Sequence, residues 1–420
     1  MSRAEETREP REHRQESDKA PVASVQPSAA PSEGPVGLTD TPAQTLLRAR
    51  VREACAPFGN TYWRELDRQR AYPEEFVRAF TQNRLLAALI PDEYGGLGLP
   101  LSDAAIVTEE INHAGGNAGT AHAQMYIMGA LLRHGTPAQK RRWLPPIASG
   151  GLRLQAFGVT EAAAGSDTTQ IRTEAVRHGD VYVVNGEKRW TSRLQNSDLM
   201  LLLARTSASP PGEKTRGLSL FLVDLREANG AVRAEPIRVM MNNQTNAVTI
   251  RDLVVPAENR IGEEGRGFRY LLDGLNTERI LIAAECIGDG RWFIEHACDY
   301  SKERVVFDRP IGQNQGVQFP IARAHIAVES ADLMRRQASA RFDASLSCGA
   351  EANMAKLLAS EASWQAANAC LDTFGGNGFA ADYDVERKFR ETRLYTVAPV
   401  ANNLILCYVA EHVLGLPRSY

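Results

Sequence analysis

Glu278 is the residue of this 420-residue sequence whose surroundings best suit acid–base chemistry. It lies in a run with helical periodicity, and its face of the helix carries Leu271, Leu275, Leu281 and Ile282. Burial disfavours a charged carboxylate and raises its pKa, which makes it a stronger base toward a carbon acid when its position is fixed. A structural pairing of Glu278 with a neighbouring arginine explains the same pattern, so both interpretations stay open at this level.

Two polar segments could hold a flat heteroaromatic ring. Residues 160–167 follow an apolar run and offer hydroxyls, backbone N–H groups and a carboxylate. Residues 185–192 place Trp190 beside the hydroxyls of Thr191 and Ser192, and an indole can stack on such a ring. A plain turn and a core tryptophan are the alternatives. The Asn-Gly pair that opens the second segment predicts a hairpin turn.

Two further segments could meet the phosphates of a ligand. Arg304, Phe307 and Gln315 lie where one long helical run ends and the next begins, and an arginine placed there could face a pyrophosphate. Residues 374–379 form a glycine-rich turn that a phosphate could approach closely. A solvated helix end and a simple helix stop are the alternatives. The glycine turn is not a dinucleotide-binding fingerprint, because no strand precedes it.

Composition restricts the classes of partner. With 43% hydrophobic and 24% charged residues the chain is typical of a globular protein, and its net charge of −3 gives no general field for nucleic acid or an anionic membrane. The six cysteines and eight histidines are scattered without the spacing of a metal site, so we predict no metal. No stretch is apolar for long enough to cross a bilayer. We expect a cytoplasmic protein that binds neither nucleic acid nor membrane.

The elements that must position these residues fall into three domains after a tail. Residues 1–41 are poor in large apolar side chains and predict a disordered tail, and residues 42–152 have helical periodicity. Residues 153–260 carry short alternating or β-branched runs, which predict a β-barrel-like middle domain. Residues 261–420 contain four amphipathic stretches, at 268–306, 315–347, 351–374 and 400–414, which predict a four-helix bundle. The fold class is therefore mainly α with an inserted β domain.

Taken together and in this order, these segments resemble the acyl-CoA dehydrogenase family from residue 42 to residue 420. The family's opening pattern is similar to residues 90–98, Ile-Pro-Asp-Glu-Tyr-Gly-Gly-Leu-Gly, and to Glu109-Glu110. Its flavin loop resembles residues 157–167, although Ala162 stands where proline usually follows the glutamate. Asp372 likewise departs from the common glutamine at its position. Five ordered motifs are far more specific than any one of them.

The resemblance implies an FAD cofactor and a thioester substrate. By it, one set of residues binds the FAD of its own or a neighbouring subunit: Phe157, Val159, Thr160, Gly165, Ser166, Trp190, Thr191, Ser192, Arg304, Phe307, Gln315, Asp372, Thr373, Phe374, Gly375, Gly376, Thr396 and Ala398. A second set contacts the substrate: Ser166, Asn276, Arg279, Tyr395 and Val397. Contacts to FAD across subunits imply at least a dimer, and the family is usually a homotetramer.

The catalytic base is where this sequence departs most from the family. The common Tyr-Glu-Gly-Thr segment near the C-terminus corresponds here to residues 395–398, Tyr-Thr-Val-Ala, and the hydroxyl of Thr396 cannot remove an α-proton efficiently. The isovaleryl and long-chain enzymes instead carry their glutamate before the arginine of the first long bundle helix, a position similar to Glu278 before Arg279. The resemblance and the apolar-face argument therefore select the same residue.

The predicted activity is the FAD-dependent α,β-dehydrogenation of an acyl-CoA thioester to the trans-2-enoyl-CoA. Electrons would then pass to an electron-transfer flavoprotein, as in most of the family. The carrier of the acyl group, CoA or acyl-carrier protein, stays open. Two other functions are compatible with the sequence: a flavin monooxygenase or oxidase on the same fold, and a non-catalytic protein that binds acyl thioesters.

Overall fold

The fold is seen in a computed structural model that describes residues 39–419. The predicted tail, residues 1–41, lies almost wholly outside the described residues. Asp40–Tyr420 form one compact unit. None of the helices in residues 39–419 combines the length and the apolar character that a membrane crossing needs.

Six helices form the first part of the chain: α1 Pro42–Cys55, α2 Asn60–Gln69, α3 Glu74–Gln82, α4 Leu101–His113, α5 Gly119–His134 and α6 Pro137–Ala148. Two of them begin with the same local signal. Thr41 and Thr136 each accept a hydrogen bond from the backbone N–H of a glutamine three residues later, whose side chain bonds back, and a proline opens the first turn. The helical periodicity of residues 42–152 is therefore confirmed.

Eight strands form one mixed sheet: β1 Leu154–Gly158, β2 Glu174–His178, β3 Val181–Ser192, β4 Leu199–Arg205, β5 Leu218–Asp224, β6 Val232–Pro236, β7 Thr245–Pro256 and β8 Arg260–Ile261. The strand order is β6-β7-β3-β2-β4-β5-β8, and β1 pairs in parallel with β4. The barrel-like closure predicted for this domain is wrong. The edge strands β6 and β8 do not pair with each other, so the sheet stays open.

The hairpin predicted at Asn185-Gly186 is also wrong, because β3 continues through this pair. The turn before β3 lies at residues 179–180 instead, between β2 and β3. Pairing of β3 with β7 shifts register at Gly186, whose φ is +154° and whose missing Cβ leaves room for Thr173. Glycine thus permits a β-bulge with a close neighbour at this point rather than a reversal of the chain.

The last part of the chain is a helical bundle: α7 Gly267–Glu303, α8 Gln315–Asp343, α9 Gly349–Phe374, α10 Val385–Thr392 and α11 Asn402–Tyr408. A two-stranded hairpin, β9 Val305–Val306 and β10 Arg309–Pro310, joins α7 to α8. The first three predicted bundle helices are found close to their expected bounds. The fourth is α11, which is shorter than predicted and is followed by a π-helical turn at Val409–Val413.

A buried ion network ties the first helices to the bundle. Glu109 and Glu110 of α4 accept hydrogen bonds from Arg48 of α1 at 2.8 and 2.6 Å. Glu109 also pairs with Arg291 of α7 and with Arg335 of α8. One apolar core continues around this network through α1, α3, α4, α7, α8 and α9. The two glutamates that resembled a family motif therefore help to hold the fold, and α7 is fixed on several sides.

Candidate active site

Glu278 lies at the start of the fourth turn of α7, with only 3% of its surface exposed. Leu271, Leu281 and Ile282 are buried beside it, as the helical pattern predicted. Burial raises the pKa of Glu278 to about 7, although the charges of His122 and Arg279 oppose the rise. The carboxyl group is therefore poised to exchange a proton near neutral pH.

Tyr126 of α5 links Glu278 to the sheet. Its hydroxyl interacts with the Glu278 carboxyl and helps to lower the pKa of that group. On its other side the Tyr126 ring packs edge-to-face against Phe157 of β1, with ring centroids 5.4 Å apart. Residues from the bundle, from α5 and from the sheet thus meet around one carboxyl group.

Glu285, two helical turns beyond Glu278 on α7, anchors a second buried polar group. The Tyr395 hydroxyl donates a 2.8 Å hydrogen bond to Glu285 Oε2, and His122 Nδ1 lies 2.9 Å from Glu285 Oε1. Asn112 donates to the backbone oxygen of Glu285 at 3.2 Å.

Sequence reasoning missed Tyr126, His122 and Glu285. The one available signal was that Glu285 lies seven residues after Glu278, on the same helical face.

A buried ion pair holds the loop at residues 160–167. Lys188 Nζ lies 2.9 Å from Glu161 Oε1 and donates to the Val159 carbonyl oxygen at 3.0 Å. Glu161 also accepts from the Thr173 hydroxyl and from two backbone N–H groups, those of Arg172 and Thr173. With its carboxylate occupied in this way, Glu161 serves the loop and not a ligand. Gly165 and Ser166, just beyond it, are exposed.

Trp190 is presented to solvent by a second bulge in β3. Its φ is +65°, the register of β3 on β7 shifts between Arg189 and Thr191, and 51% of the Trp190 surface is exposed. A bulge can re-aim a side chain near a functional site. The Arg189 N–H donates to the Thr160 carbonyl oxygen at 2.8 Å, so this bulge and the loop at 160–167 lie side by side. The core-tryptophan alternative is wrong.

The remaining substrate candidates lie around the same helix. Arg279 donates a 3.0 Å hydrogen bond to Asn276 Oδ1, and its Nε is buried without a partner. Tyr395 is buried, whereas Val397 is 59% exposed. Thr396 and Ala398 are half-buried beside them.

Arg304, Phe307 and Gln315 lie far from Glu278. Arg304 follows Glu278 by 26 residues along α7, which corresponds to about 39 Å of helix. Phe307 is 93% exposed at the tip of the β9–β10 hairpin, with φ at +53°. These residues cannot line the Glu278 site of their own chain, and their exposure suits contact with another subunit.

The glycine turn after α9 lies on the same far side of the bundle. The Phe374 ring stacks on Tyr300 of α7 at 4.0 Å between centroids. Gly375 and Gly376 have open space where a Cβ would project, Asp372 is exposed, and Thr373 donates to the Ala369 carbonyl oxygen at 2.7 Å. The turn is therefore accessible to a ligand or to a second chain.

The residues around Trp190 fit a flavin ring. Trp190 offers an exposed indole face, and Ser192 Oγ accepts a hydrogen bond from Asn243 at 2.9 Å. The Thr191 hydroxyl is buried without a hydrogen-bond partner, which leaves a polar atom for a ligand to satisfy. Gly165 has nothing within 4 Å of the place where its Cβ would be, so a ring could approach that backbone.

Fold and site together define a class of protein: helical, sheet and helical parts in that order, with a buried carboxyl where they meet. Comparison with known proteins agrees. Family descriptions of the acyl-CoA dehydrogenase N-terminal, middle and C-terminal domains match residues 41–151, 156–253 and 265–414. Acyl-CoA dehydrogenase FadE12 of Mycobacterium tuberculosis is 34% identical over 377 residues, which cover 89% of this chain and 96% of that protein.

Two other proteins are similar over most of the chain. Cyclohex-1-ene-1-carbonyl-CoA dehydrogenase of Syntrophus aciditrophicus is 33% identical over 344 residues, 81% of this chain and 82% of that protein. The structure of glutaryl-coenzyme A dehydrogenase with glutaryl-CoA superposes with a TM-score of 0.85 at 28% identity, covering 91% of this chain and 97% of that one. The chain belongs to the acyl-CoA dehydrogenase family. It is a flavoprotein oxidoreductase, as the sequence resemblance predicted.

Proposed function

We propose that the chain oxidises an acyl-CoA thioester to the trans-2-enoyl-CoA, with FAD as its cofactor and Glu278 as its base. The observation that carries this proposal is the buried Glu278 carboxyl, with a pKa raised to about 7 and with Tyr126 joining it to the Phe157 side of the sheet. A base of this kind suits a weakly acidic α-carbon.

The chain's own residues act on the proton and on the thioester. Glu278 removes the α-proton as a carboxylate, and the surrounding leucines keep water from competing for it. The backbone N–H of Thr396 donates to the thioester oxygen as negative charge develops there, and one such donor is worth about 3–4 kcal/mol of barrier. Asn276 and Arg279 bind the CoA end. FAD, when bound, would supply the acceptor for a hydride from the β-carbon.

FAD is held by two groups of residues that belong to different subunits. Phe157, Val159, Thr160, Gly165, Ser166, Trp190, Thr191 and Ser192 surround the flavin in one chain, together with Thr396 and Ala398. Arg304, Phe307, Gln315 and the 372–376 turn reach the cofactor of a neighbouring chain, which accounts for the exposure of Phe307. The active form is then a homo-oligomer, and we propose a homotetramer. Tyr395, Val397 and Ser166 border the substrate.

The proposal is tested by anaerobic stopped-flow mixing of the FAD-loaded protein with a series of acyl-CoA thioesters. We expect the flavin absorbance to bleach with at least one of them and the trans-2-enoyl-CoA to form in equal amount. Reoxidation by an electron-transfer flavoprotein should then be faster than reoxidation by oxygen. Failure of every thioester to bleach the flavin would contradict the proposed activity.

A further inference from the structure

Arg193 is a buried arginine that has no ionic partner among residues 39–419. Only 8% of its surface is exposed, and its one side-chain hydrogen bond runs from Nη2 to Asn243 Oδ1 at 2.7 Å. The three other buried arginines of the described chain, Arg48, Arg335 and Arg387, all pair with carboxylates. Burying a guanidinium with one neutral partner costs free energy. Its five N–H donors lose their hydrogen bonds to water, and only one of them gains a bond within the protein.

The carboxylates near Arg193 are already engaged with other groups. Arg193 and Thr120 line a cavity that Asp67 and Glu391 also border. Asp67 pairs with Arg390, and Glu391 pairs with Arg387. Glu285 accepts a hydrogen bond from the Tyr395 hydroxyl and lies 2.9 Å from His122 Nδ1, while its Oε1 has no hydrogen-bond partner among the described residues. None of these carboxylates forms an ion pair with Arg193 in the described part of the chain, although the charge of Glu285 acts on it.

Two buried polar atoms of α5 also have no hydrogen-bond partner among the described residues. The Thr120 hydroxyl lines the same cavity and has no hydrogen bond. His122 Nε2 is buried and unpartnered, while its Nδ1 faces Glu285. A ligand that accepts hydrogen bonds would satisfy Arg193 and the Thr120 hydroxyl together.

Arg193 lies near residues that surround the Glu278 site. Tyr126 is close enough to both Glu278 and Arg193 to feel the charge of each. Glu285 also feels Arg193, and it lies seven residues, or about 10 Å of helix, beyond Glu278. Asn276, assigned above to the CoA end, lies on the opposite side of Glu278 along α7. An acyl chain that leads from Glu278 along α7, away from Asn276, would run toward Glu285, whose charge acts on Arg193.

We infer that Arg193 binds an anionic group, a carboxylate, at the end of the acyl chain remote from the thioester. This inference rests on the proposed function and gives it a substrate class, the CoA monothioesters of dicarboxylic acids. The planar guanidinium suits a carboxylate, to which it can donate two parallel hydrogen bonds. The Thr120 hydroxyl, which lines the same cavity, adds a further donor.

The test compares two series of thioesters on the FAD-loaded protein. CoA monothioesters of dicarboxylic acids are paired with unsubstituted acyl-CoAs of equal chain length, and kcat/KM is measured with an artificial electron acceptor. At the best chain length we expect kcat/KM to be higher for the carboxylated thioester on the order of 100-fold. The unsubstituted thioester would leave the buried polar groups of the site without a hydrogen-bond partner. Equal or better use of the unsubstituted member at every length would overturn the inference and leave the proposed function intact.

Variants of Arg193 add a second readout. Arg193→Met should lower kcat/KM for the carboxylated member on the order of 100-fold and leave that for its unsubstituted partner within a few-fold, with Arg193→Lys in between. Arg251→Met, which changes an exposed arginine of β7, is the matched control and should alter neither. Loss of FAD from Arg193→Met, with an equal fall for both series, would assign Arg193 to the flavin and overturn the inference. If Arg193→Met does not fold, the comparison on the wild-type protein still decides.

Absence of flavin bleaching with both series is a separate outcome. It would contradict the proposed dehydrogenase itself, and the anionic subsite would fall with it. Bleaching with unsubstituted thioesters alone contradicts only the subsite. The two failures are therefore distinguishable in one experiment.

Discussion

At the scale of single residues, the account depends on how a glutamate becomes a base for a carbon acid. Burial and the nearby negative charge of Glu285 raise the pKa of Glu278. The charges of His122 and Arg279 and the Tyr126 hydroxyl lower it. Burial is the largest influence. The carboxyl group therefore changes its charge near neutral pH, where a small change in solution conditions changes the fraction of active enzyme.

The pH dependence of turnover follows from this. Only the carboxylate form of Glu278 can accept a proton, so kcat/KM should rise as pH increases through about 7 and level off above it. Steady-state assays from acid to mildly alkaline pH, with an artificial electron acceptor, measure this profile. The kcat/KM profile reports on the free enzyme, and we expect its apparent pKa to be that of Glu278. A profile that is flat across neutrality would mean that the raised pKa plays no part in turnover.

At the scale of secondary-structure elements, the flavin-side residues depend on the path of one strand. β3 carries both bulges, one at Gly186 and one at Trp190, and between them Lys188 points inward to Glu161. The inward ion pair fixes the loop at 160–167 against β3. The outward bulge then exposes Trp190 on the neighbouring surface. The geometry of the proposed flavin site is thus set by where one strand departs from regular pairing.

Removal of the buried cation tests this arrangement. Lys188→Met leaves the Glu161 carboxylate buried with its hydroxyl and backbone donors but without a counter-charge, and we expect a loss of about 3 kcal/mol of stability together with weaker FAD binding. Urea titration followed by circular dichroism and by FAD release measures both. Lys302→Met, at an exposed ion pair on α7, is the control and should change neither. Normal FAD affinity in Lys188→Met would show that the pair does not position the loop.

The sequence predicted the elements better than it predicted their irregularities. Helical periodicity located α7, α8 and α9, because an apolar face recurs along each of them. Asn-Gly at 185–186 has the composition of a turn but forms a bulge, since pairing with β7 outweighs the local preference. Glu278 was predicted as the base from the apolar residues on its own helical face. Tyr126, His122 and Arg193 were not found, because they reach the site from other elements and no spacing in the sequence relates them to Glu278.

At the scale of the whole molecule, the surface of α8 bears on the oligomeric state. Phe319, Ile326 and Leu333 recur every seven residues and are 52%, 64% and 48% exposed. A row of large apolar side chains on one face of a long helix is typical of a protein–protein contact. The exposed β9–β10 hairpin precedes this helix and carries Phe307. We therefore expect subunits to associate through this side of the bundle.

Charge placed in this row should break the assembly. Ile326→Asp would bury a carboxylate in the contact, so we expect the proposed homotetramer to dissociate into smaller species and to lose the FAD that we propose two chains share. Light scattering coupled to size-exclusion chromatography measures the mass. Val176→Asp, at an equally apolar and exposed position on β2, should remain tetrameric. An unchanged mass for Ile326→Asp would refute the proposed contact.

The central claim, that Glu278 removes the α-proton, is tested most directly by Glu278→Gln in anaerobic stopped-flow with an acyl-CoA that reduces the wild-type flavin. Glutamine keeps the shape of the side chain and cannot accept the proton. We predict that the variant retains FAD and its oxidised spectrum, while flavin reduction slows on the order of 10²–10⁴-fold. Reduction at the wild-type rate would contradict the account and would assign proton removal to another residue.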